Sequence, residues 1–134
     1  MKPQMPNLRI GSIVLTSRVL AAPMAGVSDR PYRRIARSYG AAVAVSEMVS
    51  SNSSLRHTRL SQRRVDHHDE PGPISVQLLG ADPSEMADAA RFNVDRGADI
   101  IDINMGCPVK KVVGGFAGSA LMRDENHALR LIEA

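Results

Sequence analysis

The chain has 134 residues, 43% hydrophobic and 23% charged, with a formal net charge of +3. That composition excludes a disordered chain, and a single cysteine excludes an internal disulfide. No apolar stretch approaches the roughly 20 residues a membrane helix needs, and the N-terminus lacks a signal-peptide core. A soluble, cytoplasmic protein with an aliphatic core is expected, since aromatics make up only 3%.

Residues 8 to 20, "LRIGSIVLTSRVL", read as two short strands around a turn, and 1–18 as a small N-terminal hairpin segment. A first buried strand is expected over 19 to 24. "SDRPYRRIARSYG" then predicts a helix with Ser28 or Asp29 as N-cap, Pro31 in the first turn and Gly40 as the stop. Residues 41 to 48, "AAVAVSEM", read as a second strand. Residues 51 to 62 are polar and weakly helical, and "RRVDHHDEPGP" reads as a loop.

Residues 74 to 80, "ISVQLLG", predict a third strand. The clearest helix follows: Asp82 caps it, Pro83 takes the first turn, and Glu85 stands three residues after the cap. Met86, Ala89, Ala90 and Val94 form its apolar stripe, and Gly97 ends it. Residues 99 to 104, "DIIDIN", read as a fourth strand. A glycine-bearing loop leads to a last helix starting at Asp124.

Strands alternating with helices imply a parallel sheet covered by helices. No G-x-G-x-x-G follows the first strand, which favours a (β/α)8 barrel over a doubly wound fold. A whole barrel needs about 250 residues. The expectation is therefore an α/β chain forming the N-terminal half, about four βα units, of a TIM barrel, with residues 19–134 as its partial domain.

Charge is unevenly placed. Residues 30 to 68 carry eight arginines and two acids, Glu47 and Asp66, while the remainder is mildly acidic. A polyanion partner and a merely solvated basic face both fit that block.

Barrel sites lie at the C-terminal ends of strands. Period two puts Ser75 and Gln77 on one face of the third strand, and Asp102 and Asn104 on one face of the fourth. Gln77 and Asn104 then point inward near the top, where a ligand with a polar ring edge or neighbouring loops would satisfy them. Cys107 follows on the next loop. Gly106 and Pro108 make a tight turn there, and Lys110 and Lys111 add positive potential. A lone cysteine is otherwise an inert buried thiol. No metal is expected, for want of ligand spacing. His67 and His68 read as solvated. "GGFAGSALM" (114 to 122) reads as a mobile loop beside the substrate, with Phe116 available for stacking.

"APMAGVSDRPYR" (22 to 33), "SEM" (46 to 48), "VQLLG" (76 to 80), "DINMGCPVKK" (102 to 111) and "AGSALM" together resemble the tRNA-dihydrouridine synthases, most closely the bacterial B-type branch. The resemblance implies an FMN-binding barrel that reduces particular uridines of tRNA to dihydrouridine, with NADPH reducing the flavin. It implies that Pro23, Met24 and Ala25 contact the flavin, that Gln77 bonds its polar edge, and that Asn104 orients flavin or uracil. Cys107 would be the general acid, protonating C5 of uracil from the face opposite the flavin. The alternatives are another FMN-dependent barrel, such as a dihydroorotate dehydrogenase relative, and an inactive half-barrel fragment. The loops that grip the FMN phosphate in such barrels follow later strands, so weak flavin binding is expected of these 134 residues.

Overall fold

The computed structural model describes residues 7–134; the first six residues of the expected hairpin segment lie outside them. β1 (Arg9–Ile10) and β2 (Ile13–Val14) pair antiparallel, Arg9 opposite Val14, around Gly11 at φ +56°. Leu15, almost fully buried, anchors this hairpin on Ala42, Val43 and Val45.

The remaining strands are all parallel. β3 (Leu20–Ala21) pairs with β4 (Val43–Ala44); β5 (Val49–Ser50) pairs with β6 (Ser75–Leu79); β6 pairs with β7 (Ile100–Ile103). A single parallel bridge, Val45 to Ser75, joins the first pair to the others. With β4 and β5 taken as two pieces of one strand, each strand thus lies beside the next in sequence.

The second strand is not continuous over 41 to 48. It breaks between β4 and β5 because Ser46, whose N–H still donates to the Ser75 carbonyl at 3.0 Å, meets the next strand N–H with its side chain. The Ser46 hydroxyl accepts from the Gln77 N–H at 3.0 Å, and Glu47 turns toward the loop after β3. The first strand is likewise shorter than 19 to 24, since residues 22 to 28 fold into a turn of their own.

Five helices follow from local chemistry. In α1 (Arg30–Ser38) the Asp29 side chain accepts from the Tyr32 N–H, which leaves Ser28 free to bond elsewhere. α2 (Arg59–Val65) occupies part of the expected loop: Thr58 caps it and Val65 buries into the core. α3 (Pro83–Asp95) begins at Asp82 as expected and ends at Gly97, φ +102°. Its buried face is Met86, Ala89 and Asn93, while Val94 points outward. Asn93 is satisfied there by donating to the Ala89 carbonyl at 2.8 Å. α4 (Lys110–Gly114) and a 3-10 turn (Gly118–Arg123) replace the expected open loop, and Leu121 is buried beneath them. α5 (Glu125–Glu133) starts from the Asp124 cap and buries Leu131.

The main core lies between the sheet and α3 and α5: Val76, Leu78, Met86, Ala89, Leu121 and Leu131 are its centre. Burying such side chains contributes roughly 1.5–3 kcal/mol each. The opposite face of β6 and β7 carries Gln77, Asp102 and Asn104.

Much of the basic block is consumed internally. Arg33, 2% exposed, donates to Glu70 (2.8 Å), to the Ser28 carbonyl and to the Asp66 carbonyl. Arg37 reaches Glu70 at 3.4 Å and the Ala42, Gly72 and Pro73 carbonyls. These two arginines fasten the loop at 66 to 73 onto α1. His67 is not solvated: its ring bonds the Val65 and Arg96 carbonyls, both at 2.8 Å.

Candidate active site

The C-terminal ends of the parallel strands converge on a cavity of about 370 Å³. Pro23, Ala25, Met48, Gln77, Ile103, Asn104, Met105, Gly106 and Cys107 line it. Five of the six residues expected from the sequence therefore share one cavity, although they come from three separate stretches of chain.

Met24 is the sixth. It sits in the same turn but is not part of the lining. Its N–H donates to the Ser28 hydroxyl at 2.6 Å, and its carbonyl accepts from the Val27 and Ser28 N–H groups. Met24 therefore shapes the turn that presents Pro23 and Ala25.

Glu47 holds that turn from below. Its carboxylate, in a residue only 4% exposed, accepts from the Gly26 N–H at 2.8 Å, where Gly26 adopts φ +77°. The second partner of Glu47 is Arg64 from α2, whose Nε lies 3.3 Å away as an ion pair without hydrogen-bond geometry. Arg64 also donates to the Met48 carbonyl at 3.2 Å. A buried charge must be paired, and a lone acid inside "AAVAVSEM" is the sequence signal for such a role.

On the inner face of β6 and β7 three polar side chains bond in series. Gln77 Nε2 donates to Asp102 Oδ2. Asn104 Nδ2 donates to Gln77 Oε1 at 3.0 Å and lies 3.6 Å from Met48 Sδ. Asn104 Oδ1 then accepts from the Cys107 N–H (2.9 Å) and the Gly106 N–H (3.2 Å).

The cysteine is a free, half-buried thiol. Its backbone is gripped at both ends, since the Cys107 carbonyl accepts from the Ser119 N–H at 3.0 Å. Gly118, at φ +60°, packs directly behind it. A Cβ on Gly118 would stand 2.6 Å from the Cys107 carbonyl oxygen and 2.7 Å from Val112 Cγ1. Nothing local in the sequence distinguishes Gly118 from its neighbouring glycines. Lys110 and Lys111 are exposed on α4 and do not line the cavity.

A family model described as Dihydrouridine synthase (Dus) matches residues 19–134. Curated relatives agree. The chain is 52% identical to a tRNA-dihydrouridine synthase B of Xanthomonas campestris over 127 residues, covering 95% of this chain and 38% of the relative. It is 55% identical to that of Escherichia coli K12 over 116 residues, covering 87% and 36%. For Pseudomonas aeruginosa the figures are 51% over 130 residues, 97% and 39%. The chain thus spans a little over a third of the length of these relatives.

Proposed function

Because the chain belongs to the dihydrouridine synthase family, we propose that its cavity is one wall of an FMN site where tRNA uridines are reduced to 5,6-dihydrouridine, with NADPH as the reductant. The observation that carries this reading is the convergence of Pro23, Ala25, Gln77, Asn104 and Cys107 on one cavity. Its volume falls within the range of about 300–1,000 Å³ usual for small-molecule sites. Parallel strands β3 to β7, which make four barrel strands when β4 and β5 are counted as one, have the cavity at their C-terminal ends and also support the N-terminal half of a (β/α)8 barrel. The cytoplasm, where tRNA is modified, is the compartment that fits.

The lining suits a flat heteroaromatic ring. Pro23, Ala25, Met48 and Met105 offer small or flexible apolar contacts, and Gln77 Nε2 keeps one hydrogen beyond the one given to Asp102. No lysine or arginine is in the lining, so a flavin phosphate would need cations from elsewhere. Bound here, reduced FMN would supply the hydride that adds to C6 of a uracil.

The chain's own residues do the rest. Pro23 and Ala25 bound the ring, with Met24 bracing their turn. Gln77 donates to the ring's polar edge. Asn104, whose amide is engaged with Gln77, Met48 and the Gly106 and Cys107 N–H groups, orients the uracil through the seat it gives the cysteine. Addition at C6 places negative charge on the C5–C4 carbonyl side, and C5 takes its proton from Cys107 Sγ. The resulting thiolate is half-buried, so solvent can return the proton. A positioned general acid contributes typically 10²–10⁴-fold.

In the full-length enzyme Cys107→Ala should keep bound flavin and tRNA affinity and lose roughly 10²–10⁴-fold in dihydrouridine formation. Turnover at the wild-type rate would remove Cys107 from the mechanism.

A further inference from the structure

The folded chain divides the arginines of residues 30 to 68 into used and unused. Arg33 and Arg37 meet Glu70, Arg30 meets Asp66, Arg56 meets Asp88, and Arg64 meets Glu47. Arg34, Arg59 and Arg63 are exposed, and among the described residues none of the three forms an ion pair. Arg59 and Arg63 stand four residues apart on α2, so they share a face. Like charges at that spacing repel, and the repulsion is relieved when an anion sits between them.

A third guanidinium joins this pair from another element. Arg59, Gln62, Arg63, Asp66 and Arg96 line one surface cleft of about 450 Å³. Arg96, at the C-cap of α3, donates to Gln62 Oε1 at 3.4 Å, which holds it at the cleft. The single acid there, Asp66, is already paired with Arg30 at 3.1 Å. Arg59 and Arg63 also border an adjoining depression of about 310 Å³ with Leu60, which is 56% exposed. Planar guanidinium forks match phosphate oxygens in geometry as well as charge.

The cleft is also tied to the site. The next residue along α2, Arg64, turns away from that face to pair with Glu47 and to donate to the carbonyl of the cavity residue Met48. We propose that the Arg59–Arg63–Arg96 cleft binds backbone phosphates of the tRNA whose uridine enters the cavity. The proposal rests on the tRNA-reducing reading above and adds the surface by which the RNA is held.

The test measures tRNA binding by the full-length protein between about 50 and 200 mM salt. Arg59→Gln and Arg63→Gln should each lower the slope of log affinity against log salt by about 1, and the double variant by about 2. Arg34→Gln, which removes the same charge from exposed α1, should leave the slope unchanged. All are surface replacements, so matching thermal midpoints will certify folding. If Arg59→Gln/Arg63→Gln follows Arg34→Gln while the wild type still binds and reduces tRNA, the cleft is overturned alone. A wild type that holds flavin but neither binds nor reduces tRNA overturns the cleft together with the reading beneath it.

Discussion

The seat of Cys107 is set by residues on both sides of it, and they were unequally visible beforehand. Asn104 stood out because strand periodicity aims an amide inward three residues before the thiol. Gly118 did not, because its importance depends on a contact eleven positions along the chain. Replacing Gly118 by alanine forces an L-residue into the left-handed region, a cost of about 1–2 kcal/mol, and drives its Cβ into the Cys107 carbonyl. If the proposed function holds, Gly118→Ala in the full-length protein should lower the thermal midpoint and slow dihydrouridine formation, while flavin content, measured by absorbance, stays near that of the full-length wild type. The buried acid Glu70 belongs to the same scale. It satisfies two arginines, one of them 2% exposed. Glu70→Ala leaves Arg33 uncompensated and should destabilise by about 3–5 kcal/mol in denaturant titration, as breaking a buried pair does.

Among the elements, α3 was legible almost whole, since its start and stop are written in cap residues. Its inner face was less so. Asn93 replaces Val94 there because a side-chain bond to the Ala89 carbonyl makes an amide tolerable inside. α2 is only half legible for a related reason: weak helicity is expected as far as residue 62, but "RLSQRRV" shows little amphipathic pattern, and the helix is held by its cap, Val65 and Arg64. The α3 cap has a pH signature. Hydrogen bonds from the Glu85 N–H and the Ser84 hydroxyl hold the Asp82 carboxyl below its ordinary value. A carboxylate depressed in the folded state stabilises above the unfolded value near 3.8, and that contribution is lost as pH falls through the folded value. Arg56 depresses Asp88 on the same helix in the same direction. Urea midpoints of wild type should thus fall more steeply below about pH 4 than those of Asp82→Asn, which keeps a capping oxygen without the charge.

For the whole molecule, the alternation of strands and helices announced an α/β chain with parallel pairing, and the structure has both. The breaks in the first two strands could not be read, because they arise from loops reaching across to Ser46 and Glu47. The basic block was visible as composition, but its division into internal and outward arginines needed the fold. At this scale the cavity lining holds apolar and amide groups but no lysine or arginine, so a flavin phosphate would find no cation there. The 134-residue chain, purified, should therefore carry well under one flavin per molecule. A stoichiometric yellow protein would show that these residues suffice. Among the described residues no helix is long and apolar enough to cross a membrane.

The series from Asp102 through Gln77 and Asn104 to Cys107 has a sense of direction. A carboxylate can only accept and a backbone N–H can only donate. Two amides strung between such ends have one consistent orientation each, and flipping either sets oxygen against oxygen or hydrogen against hydrogen. Asp102 at one end and the Gly106 and Cys107 N–H groups at the other demand the same sense of the whole string, and the thiol's backbone is its last link. Asp102→Asn, nearly identical in shape, would make that terminus ambiguous. The Gly106 and Cys107 N–H groups at the far end would still hold both amides to the same sense, so the new amide would turn its oxygen to Gln77 Nε2 and the string would lose its charged head while keeping its direction.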